Sequence, residues 1–477
     1  MIPGTIAYFG FLFIVILFYY AINKVEFKQW LLLISSLFFL YFFGITSILF
    51  AVSLSLVNFF FGKYAIKGGY TFRKLAIINV INIGVLISLR LTSKYHFETI
   101  SFFIKDEKFE FLISTLGLGF YTMQNIAYQI DLYKKRYPAE TDLLKFTLGN
   151  IFFARISSGP ILNLNSFNQQ LTTLPIRFTE ENFTIGLQRS LIGVIKKYLI
   201  VERLAVYVDN CFDSTIHIPC GLGVVFGSVL FTIQLYFDFS GYMDIAVGSA
   251  RFFGIKLSEN FNMPLRSESI ADWWRKWHIT LMNWFTQYVY YPLVYQIRKY
   301  QKTSAIVGIA ATFLISSLWH GFGFTYLIWG GLHFLYLAYS TLNKKGLQLL
   351  KSKFPSGLYS FLFIPITILM VSFANLFFRS TNTVHALRLL TILFKNKFWP
   401  SGTLQSWLGM NVITEDNILF TLWVGVFLSL LYLIFETKLI KALSYPKFRI
   451  GWFVFLIVML VTLGVFDSAS RFIYMNF

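Results

Sequence analysis

Charge is what this sequence has least of. Only 13% of its 477 residues are Asp, Glu, Lys or Arg, against roughly 25% in a soluble globular protein. No stretch reads as a soluble domain, so soluble enzymes and soluble binding modules are poor descriptions of the chain. Acidic residues are the scarcer sign, 22 against 41 basic, for a net charge of +19. No basic cluster sits on a soluble module, which argues against nucleic acid as a partner. There are two cysteines, Cys211 and Cys220. Their spacing fits no common zinc site; it is compatible with an outer-face disulfide, but two free thiols is the plainer reading. No internal repeat is visible, which removes solenoids. Walker loops, G-x-S-x-G elbows and H-E-x-x-H pairs are also missing, and no metal site is expected.

What fills the space is apolar. Hydrophobic residues make up 56% of the chain and aromatics 20%. Runs close to the length that spans a bilayer core recur at 4–22, 29–43, 47–65, 75–91, 109–130, 146–162, 222–237, 304–319, 324–339, 358–378, 418–435 and 450–465. They predict an all-α polytopic membrane protein with about 11–13 spanning helices, some tilted or re-entrant. The first run lacks a basic leader and a small-residue cleavage site, so it reads as a retained helix. Lys24 and Lys28 follow the first run. Lys63, Lys67, Arg73 and Lys74 follow the third, and Lys134, Lys135 and Arg136 the fifth. That bias puts these loops in the cytoplasm and the N-terminus outside. The basic excess also suits anionic lipid heads or a phosphate-bearing donor.

Two segments are amphipathic. In 183–208, Arg189, Lys196 and Arg203 recur every seven residues, predicting a helix at the interface with its basic side towards lipid heads, or a tilted span. In 271–291, Trp273, Trp274, Trp277, Leu281, Trp284, Phe285 and Tyr288 form one helical stripe, an interface signature. That segment would carry His278 to a boundary, and Pro292 would limit its continuation.

Six histidines are present. His96, His217 and His385 lie in loops or near helix ends, where surface or structural roles are expected. His320 ends an apolar run and precedes Gly321 and Gly323. An ionisable group at such depth is a functional candidate, and imidazole, titrating near about 6.5, suits general-base work on a hydroxyl. The plainer alternative is a buried histidine bonded to a carbonyl. His333, in "IWGGLHFLY", reads more readily as bundle packing, or as a residue orienting the first histidine. Asp238 and Asp244 are six apart and face different directions. The helix is expected to end near Asp238 and bend at Gly241, with Asp238 bonded to a histidine or to Arg251 or Arg275. "SSGP" at 157–160 reads as a membrane-embedded break, allowed where backbone is buried in protein or lines a cavity.

These stretches carry a resemblance. "DFSGYMDIAVGSARFFGIKLSENFNMPLRSESIADWWRKWH" (238–278), "SSLWHG", "WGGLH", "LGLGFYTMQNIAYQIDLY" (116–133), "SSGPI" and "GVIKKYLIVERLA" (193–205) together resemble the membrane-bound O-acyltransferase (MBOAT) family. The likeness is to its bacterial alginate O-acetyltransferase type and is clear over about 116–339. It implies a single membrane domain over 1–477, a ring of helices around a central tunnel. It also implies acyl transfer from a cytosolic thioester to a hydroxyl. On the family's pattern the catalytic histidine is His320, and a second position, histidine, asparagine or aspartate, falls on His278. Candidate substrate-binding residues are Asp238, Ser240, Tyr242, Asn260, Asn262, Arg275, Trp277, Trp319 and His333. Thr286 and Gln287 stand where relatives often have Arg-Asp, and "SSGPI" also resembles the D-alanine-transferring members.

The resulting expectation is an O-acyltransferase of the bacterial cytoplasmic membrane. It would move acetyl from acetyl-CoA, a substrate rather than a bound cofactor, to an extracytoplasmic polysaccharide. An extracytoplasmic SGNH-like relay acetyltransferase is a further partner the resemblance implies, and the lipid bilayer is the medium. The rivals are D-alanyl transfer from a carrier protein to teichoic acid, and a transporter whose histidines relay protons.

Overall fold

The computed structural model of the protein describes residues 2–100, 117–157, 159–212, 220–395, 422–434, 446–466 and 473. His217, the start of the run at 109–130 and both ends of the run at 418–435 lie outside the described residues. Among the described residues there are helices and no β-strand. In order they are α1 (Ile6–Ala21), α2 (Val25–Tyr41), α3 (Ile45–Lys67), α4 (Phe72–Ile100), α5 (Leu118–Tyr133), α6 (Leu143–Ile151), α7 (Leu164–Thr172), α8 (Glu180–Ile195), α9 (Glu202–Phe212) and α10 (Gly221–Arg251). After them come α11 (Ile270–Lys276), α12 (Ile279–Phe285), α13 (Tyr291–Gln296), α14 (Lys302–His320), α15 (Phe324–Leu342), α16 (Lys344–Ser352), α17 (Ser356–Arg379), α18 (Thr383–Lys395), α19 (Leu422–Ile434) and α20 (Pro446–Leu463).

Among the described residues, α3, α10, α14 and α17 are long and apolar enough to cross a membrane. Several other apolar helices are shorter, such as Ile6–Ala21 and Ile450–Leu463. The chain is an all-α polytopic membrane protein, but its apolar runs do not each become one spanning helix. The run at 146–162 stops being helical at Ile151 and continues as a turn and extended chain. Conversely, the helix expected to end near Asp238 runs on through Gly241 to Arg251. Its 31 residues extend about 46 Å at 1.5 Å per residue.

Two compact units divide the described chain. The first comprises chiefly Met1–Gly193 and Tyr242–Glu259. Its aromatic packing includes Phe11 edge-on to Phe153 and Phe59 against Phe146. Several polar groups inside it are bonded, which offsets the cost of removing them from water. The Tyr8 hydroxyl donates to Ser249 (2.9 Å), and Gln129 donates to the Asn58 carbonyl (2.8 Å). Arg189 meets Asp244 (2.8 Å) and Glu259 (2.7 Å). Lys28, grouped by sequence with the loop charges, is buried instead. Its ammonium donates to the carbonyls of Pro175 and Ile176 and lies 4.0 Å from the Tyr19 ring centroid.

The second unit comprises chiefly Val194–Gly241 and Asn260–Ile473. Here the expected interfacial helix over 183–208 is corrected. Between α8 and α9 the residues Lys196–Val201 form a π-helical turn. A π turn takes an extra residue, so the seven-residue spacing of Arg189, Lys196 and Arg203 no longer keeps one face. The charges within the unit turn inward rather than towards lipid heads. Lys196 lies 4.9 Å from the Tyr432 ring centroid, and Arg203 donates to the Leu463 carbonyl. Lys197 bridges Glu202 and Asp238, each at 3.0 Å, and Asp238 also accepts the Ile473 N–H at 2.7 Å. Asp238 therefore pairs with neither Arg251 nor Arg275. Those arginines are bonded to Glu181 and Asp272. Pro292 does not end the helix either: helical backbone runs from α12 through a π turn at Thr286–Tyr290 into α13, with Pro292 inside it. Cys211 and Cys220 are both buried, and no disulfide joins them.

Candidate active site

The tryptophan-rich stretch around His278 is two short helices, not one. α11 stops at Lys276, α12 starts at Ile279, and His278 caps α12 with φ 45° and ψ 53°. Few residues with a side chain adopt this left-handed geometry, histidine among the more tolerant, and such backbone gathers at functional sites. The segment at 260–262 holds the break open. Its Asn262 N–H donates to the Lys276 carbonyl (3.0 Å), and its Asn260 carbonyl accepts the Ile279 N–H (2.9 Å). The Asn260 side chain reinforces this. Its Oδ1 accepts the Thr280 N–H (3.0 Å) and the Thr280 hydroxyl (2.9 Å), and lies 3.2 Å from His278 Nδ1.

An aromatic wall closes the other side. Phe239 meets the His278 ring edge-on with centroids 4.8 Å apart. Phe239 and Trp277 both pack on Phe261, and Trp273 stacks on Trp277. His278 is only 1% exposed. Removal from water penalises the imidazolium and pushes its pKa down to about 3, so the ring is neutral at physiological pH.

His320 is held differently. It is the last residue of the spanning helix α14, where the Gly321 N–H turns back to the Ser317 carbonyl (3.1 Å). Four rings surround it: Trp319, Trp329 and Phe378 edge-on at 4.8, 5.2 and 5.1 Å, and Tyr326 at 6.5 Å. Trp329 reaches it because α14 and α15 touch at Gly330. A Cβ there would overlap Ser317 Oγ and stand 2.9 Å from the Phe313 carbonyl oxygen. Small residues permit this contact of helices, the usual device in membranes.

His333 lies one helical turn beyond Trp329. The Trp274 indole N–H donates to His333 Nδ1 (3.2 Å). Indole only donates, so Nδ1 is the acceptor and a neutral His333 carries its proton on Nε2. Trp274, Trp329 and Phe313 enclose the ring. A polar thread continues from Trp329 to Asn375 (3.2 Å) and from Asn375 to Thr232 (3.1 Å). The sequence reading missed Asn375 and Thr232. Their signal was an amide and a hydroxyl standing inside apolar runs.

Of the other candidates, Asn260 and Trp277 gather about His278, and Trp319 about His320. Asp238 is committed to Lys197 and the Ile473 amide. Ser240 is buried on α10. Asn262 supports the break through its backbone. The Arg275 side chain points outward, 72% exposed and bonded to Asp272. Tyr242 lies in the first unit, its hydroxyl bonded to Ser157. Among the described residues no cluster of three or more His, Cys, Asp or Glu could hold a metal ion.

The chemistry available is that of buried imidazoles, a side chain suited to moving a proton on and off a hydroxyl. The sequence pattern of MBOAT, the membrane-bound O-acyltransferase family, matches residues 142–380. A probable alginate O-acetylase of Pseudomonas putida is 33% identical over 294 residues, which are 61% of this chain and 57% of that one. The chain thus matches a little over half the length of that relative. A peptidoglycan O-acetyltransferase of Helicobacter pylori is 31% identical over 426 residues, 80% of this chain and 76% of that one. A teichoic acid D-alanyltransferase of Bacillus subtilis is 31% identical over 237 residues, 46% and 58% of the two chains. These matches settle the family: the chain belongs to the membrane-bound O-acyltransferases.

Proposed function

We propose that the protein moves an acetyl group from cytosolic acetyl-CoA to a hydroxyl of an extracytoplasmic polysaccharide, or of a relay protein, in the bacterial cytoplasmic membrane. The observation that carries this reading is His320, buried in aromatic rings at the end of a spanning helix. There His320 takes the proton of the acceptor hydroxyl as its oxygen attacks the thioester carbonyl carbon. The carbon–sulfur bond breaks, and the departing thiolate takes the proton from the His320 imidazolium. His278 assists the same transfer from the second position. The aromatic walls exclude water, which would otherwise compete as the acceptor.

The acetyl assignment is supported by O-acetylating relatives that share more of this chain than the D-alanylating one does. That D-alanyltransferase supports a second reading, transfer of D-alanine from a carrier protein to teichoic acid. Purified protein in proteoliposomes, given labelled acetyl-CoA on one side and glycan on the other, tests both. Label should move to the glycan and stop with His320→Ala. Transfer only from a D-alanyl carrier protein would favour the second reading, and undiminished acetyl transfer by a folded His320→Ala protein would remove His320 from the chemistry.

A further inference from the structure

The hydrogen bonds at the helix break assign a direction to His278. Asn260 Oδ1 accepts the Thr280 backbone N–H at 3.0 Å. A backbone amide can only donate, so the atom it meets is the carbonyl oxygen of the Asn260 amide and not its NH2. The same oxygen lies 2.9 Å from the Thr280 hydroxyl and 3.2 Å from His278 Nδ1. An oxygen that accepts from Thr280 can meet Nδ1 favourably only if Nδ1 also donates. A neutral imidazole with its proton on Nδ1 has its lone pair on Nε2.

We infer that Asn260 is a positioning residue: it fixes His278 as the Nδ1–H tautomer, so that His278 serves the reaction as a hydrogen-bond acceptor through Nε2. This rests on the acyl-transfer reading and narrows it. In that tautomer Nε2 has no proton to offer a developing oxyanion, and the Nδ1 proton is held by Asn260. His278 is left with one productive role: receiving a hydrogen bond from the incoming hydroxyl or from a protonated partner. His333 is set the opposite way by the Trp274 indole, so the unit fixes the proton on different nitrogens of two of its histidines. The backbone supports the assignment. Asn260 and Asn262 bond to Ile279 and Lys276 on either side of His278, so the ring turns little about its grip.

The test uses the full-length protein in lipid with imidazole nitrogens labelled. His278 is assigned by its disappearance from the nitrogen NMR spectrum in His278→Asn. The wild type should show the proton on Nδ1 and none on Nε2. Asn260→Ala should shift the signal towards the Nε2–H form and lower kcat by about 10²-fold with KM little changed, within the range seen when a group orienting a histidine is removed. Asn260→Asp keeps an acceptor oxygen facing Thr280 and Nδ1. It should retain the Nδ1–H form, recover kcat to within about tenfold and move the pH profile upward, because a carboxylate stabilises the imidazolium. A wild-type proton on Nε2 would overturn the inference, and so would an Asn260→Asp protein no more active than Asn260→Ala. If Asn260→Ala does not fold, Thr280→Val, which keeps the amide donor, and Asn260→Asp still carry the spectral test. Failure of the acyl-transfer reading is separable: the wild type would transfer no acyl group from any thioester, while the tautomer would still be read from the spectrum.

Discussion

His278 and His320 are buried imidazoles of the same compact unit, held by opposite means. His278 stands at an interruption between two helices, gripped by an amide oxygen and by backbone bonds on either side. His320 stands on the last turn of an unbroken spanning helix, enclosed by rings. Hydrogen bonds fix which nitrogen carries a proton. Rings fix where a side chain sits and how dry it is, and say little about the proton. The difference suits a pair in which one member keeps a fixed orientation and the other accepts and releases a proton in each turnover.

Substitutions can break this comparison. The largest effect is expected from His320→Ala, with acyl transfer falling about 10³-fold or more and elution from size exclusion unchanged. His278→Ala should cost less, about 10²-fold, measured by the same labelled-acetyl assay. If the two losses were equal, the division of roles would be wrong. Next comes Lys197→Met. It would leave Asp238 and Glu202 buried without their cation, a change worth about 3–5 kcal/mol. Asp238 adjoins Phe239, whose ring backs His278, so both the unfolding midpoint in detergent and the activity should fall. Gly330→Ala should act on the other side of the comparison. Its Cβ pushes α15 off α14 at about 1–3 kcal/mol, disturbing His320 while His278 keeps its tautomer. Adding Ser317→Gly should restore part of the loss.

The smallest effect is expected at Glu268. Hydrogen bonds from Lys351 (2.6 Å) and Ser360 (2.5 Å) hold its carboxyl below the usual carboxylate range. A depressed folded pKa stabilises above the ordinary carboxylate pKa and ceases to do so as pH falls through the lowered value. Wild type and Glu268→Gln should therefore differ slightly in unfolding midpoint near neutrality and converge in acid. The pair is partly exposed, so the difference is also expected to shrink in salt.

The sequence made the broad outline legible. Scarce charge and recurring apolar runs gave an all-α membrane protein. His320 showed itself by standing at the end of one such run; the tryptophan stripe around His278, read from its spacing as an interface signature, is instead largely buried within the protein. Pairings across long separations were not legible. Nothing local in Lys197 says that it meets Asp238, 41 residues on, and the π turn that redirects Lys196 leaves no mark in hydropathy. Asn260 was singled out as a residue to touch substrate. Its grip on His278 depends on a chain reversal over 18 residues that no periodicity reports.

The left-handed backbone at His278 also limits which side chains mutation can offer at that position. Val and Ile, branched at Cβ, are the least compatible with φ 45° and would pull α11 and α12 out of register with 260–262. Asn and Asp tolerate the angle, as histidine does, so a library at codon 278 selected for folding alone should return mainly His, Asn, Asp and Gly. Selection for acyl transfer would then act on that short alphabet and discard Gly first, since it brings no side chain to the reaction.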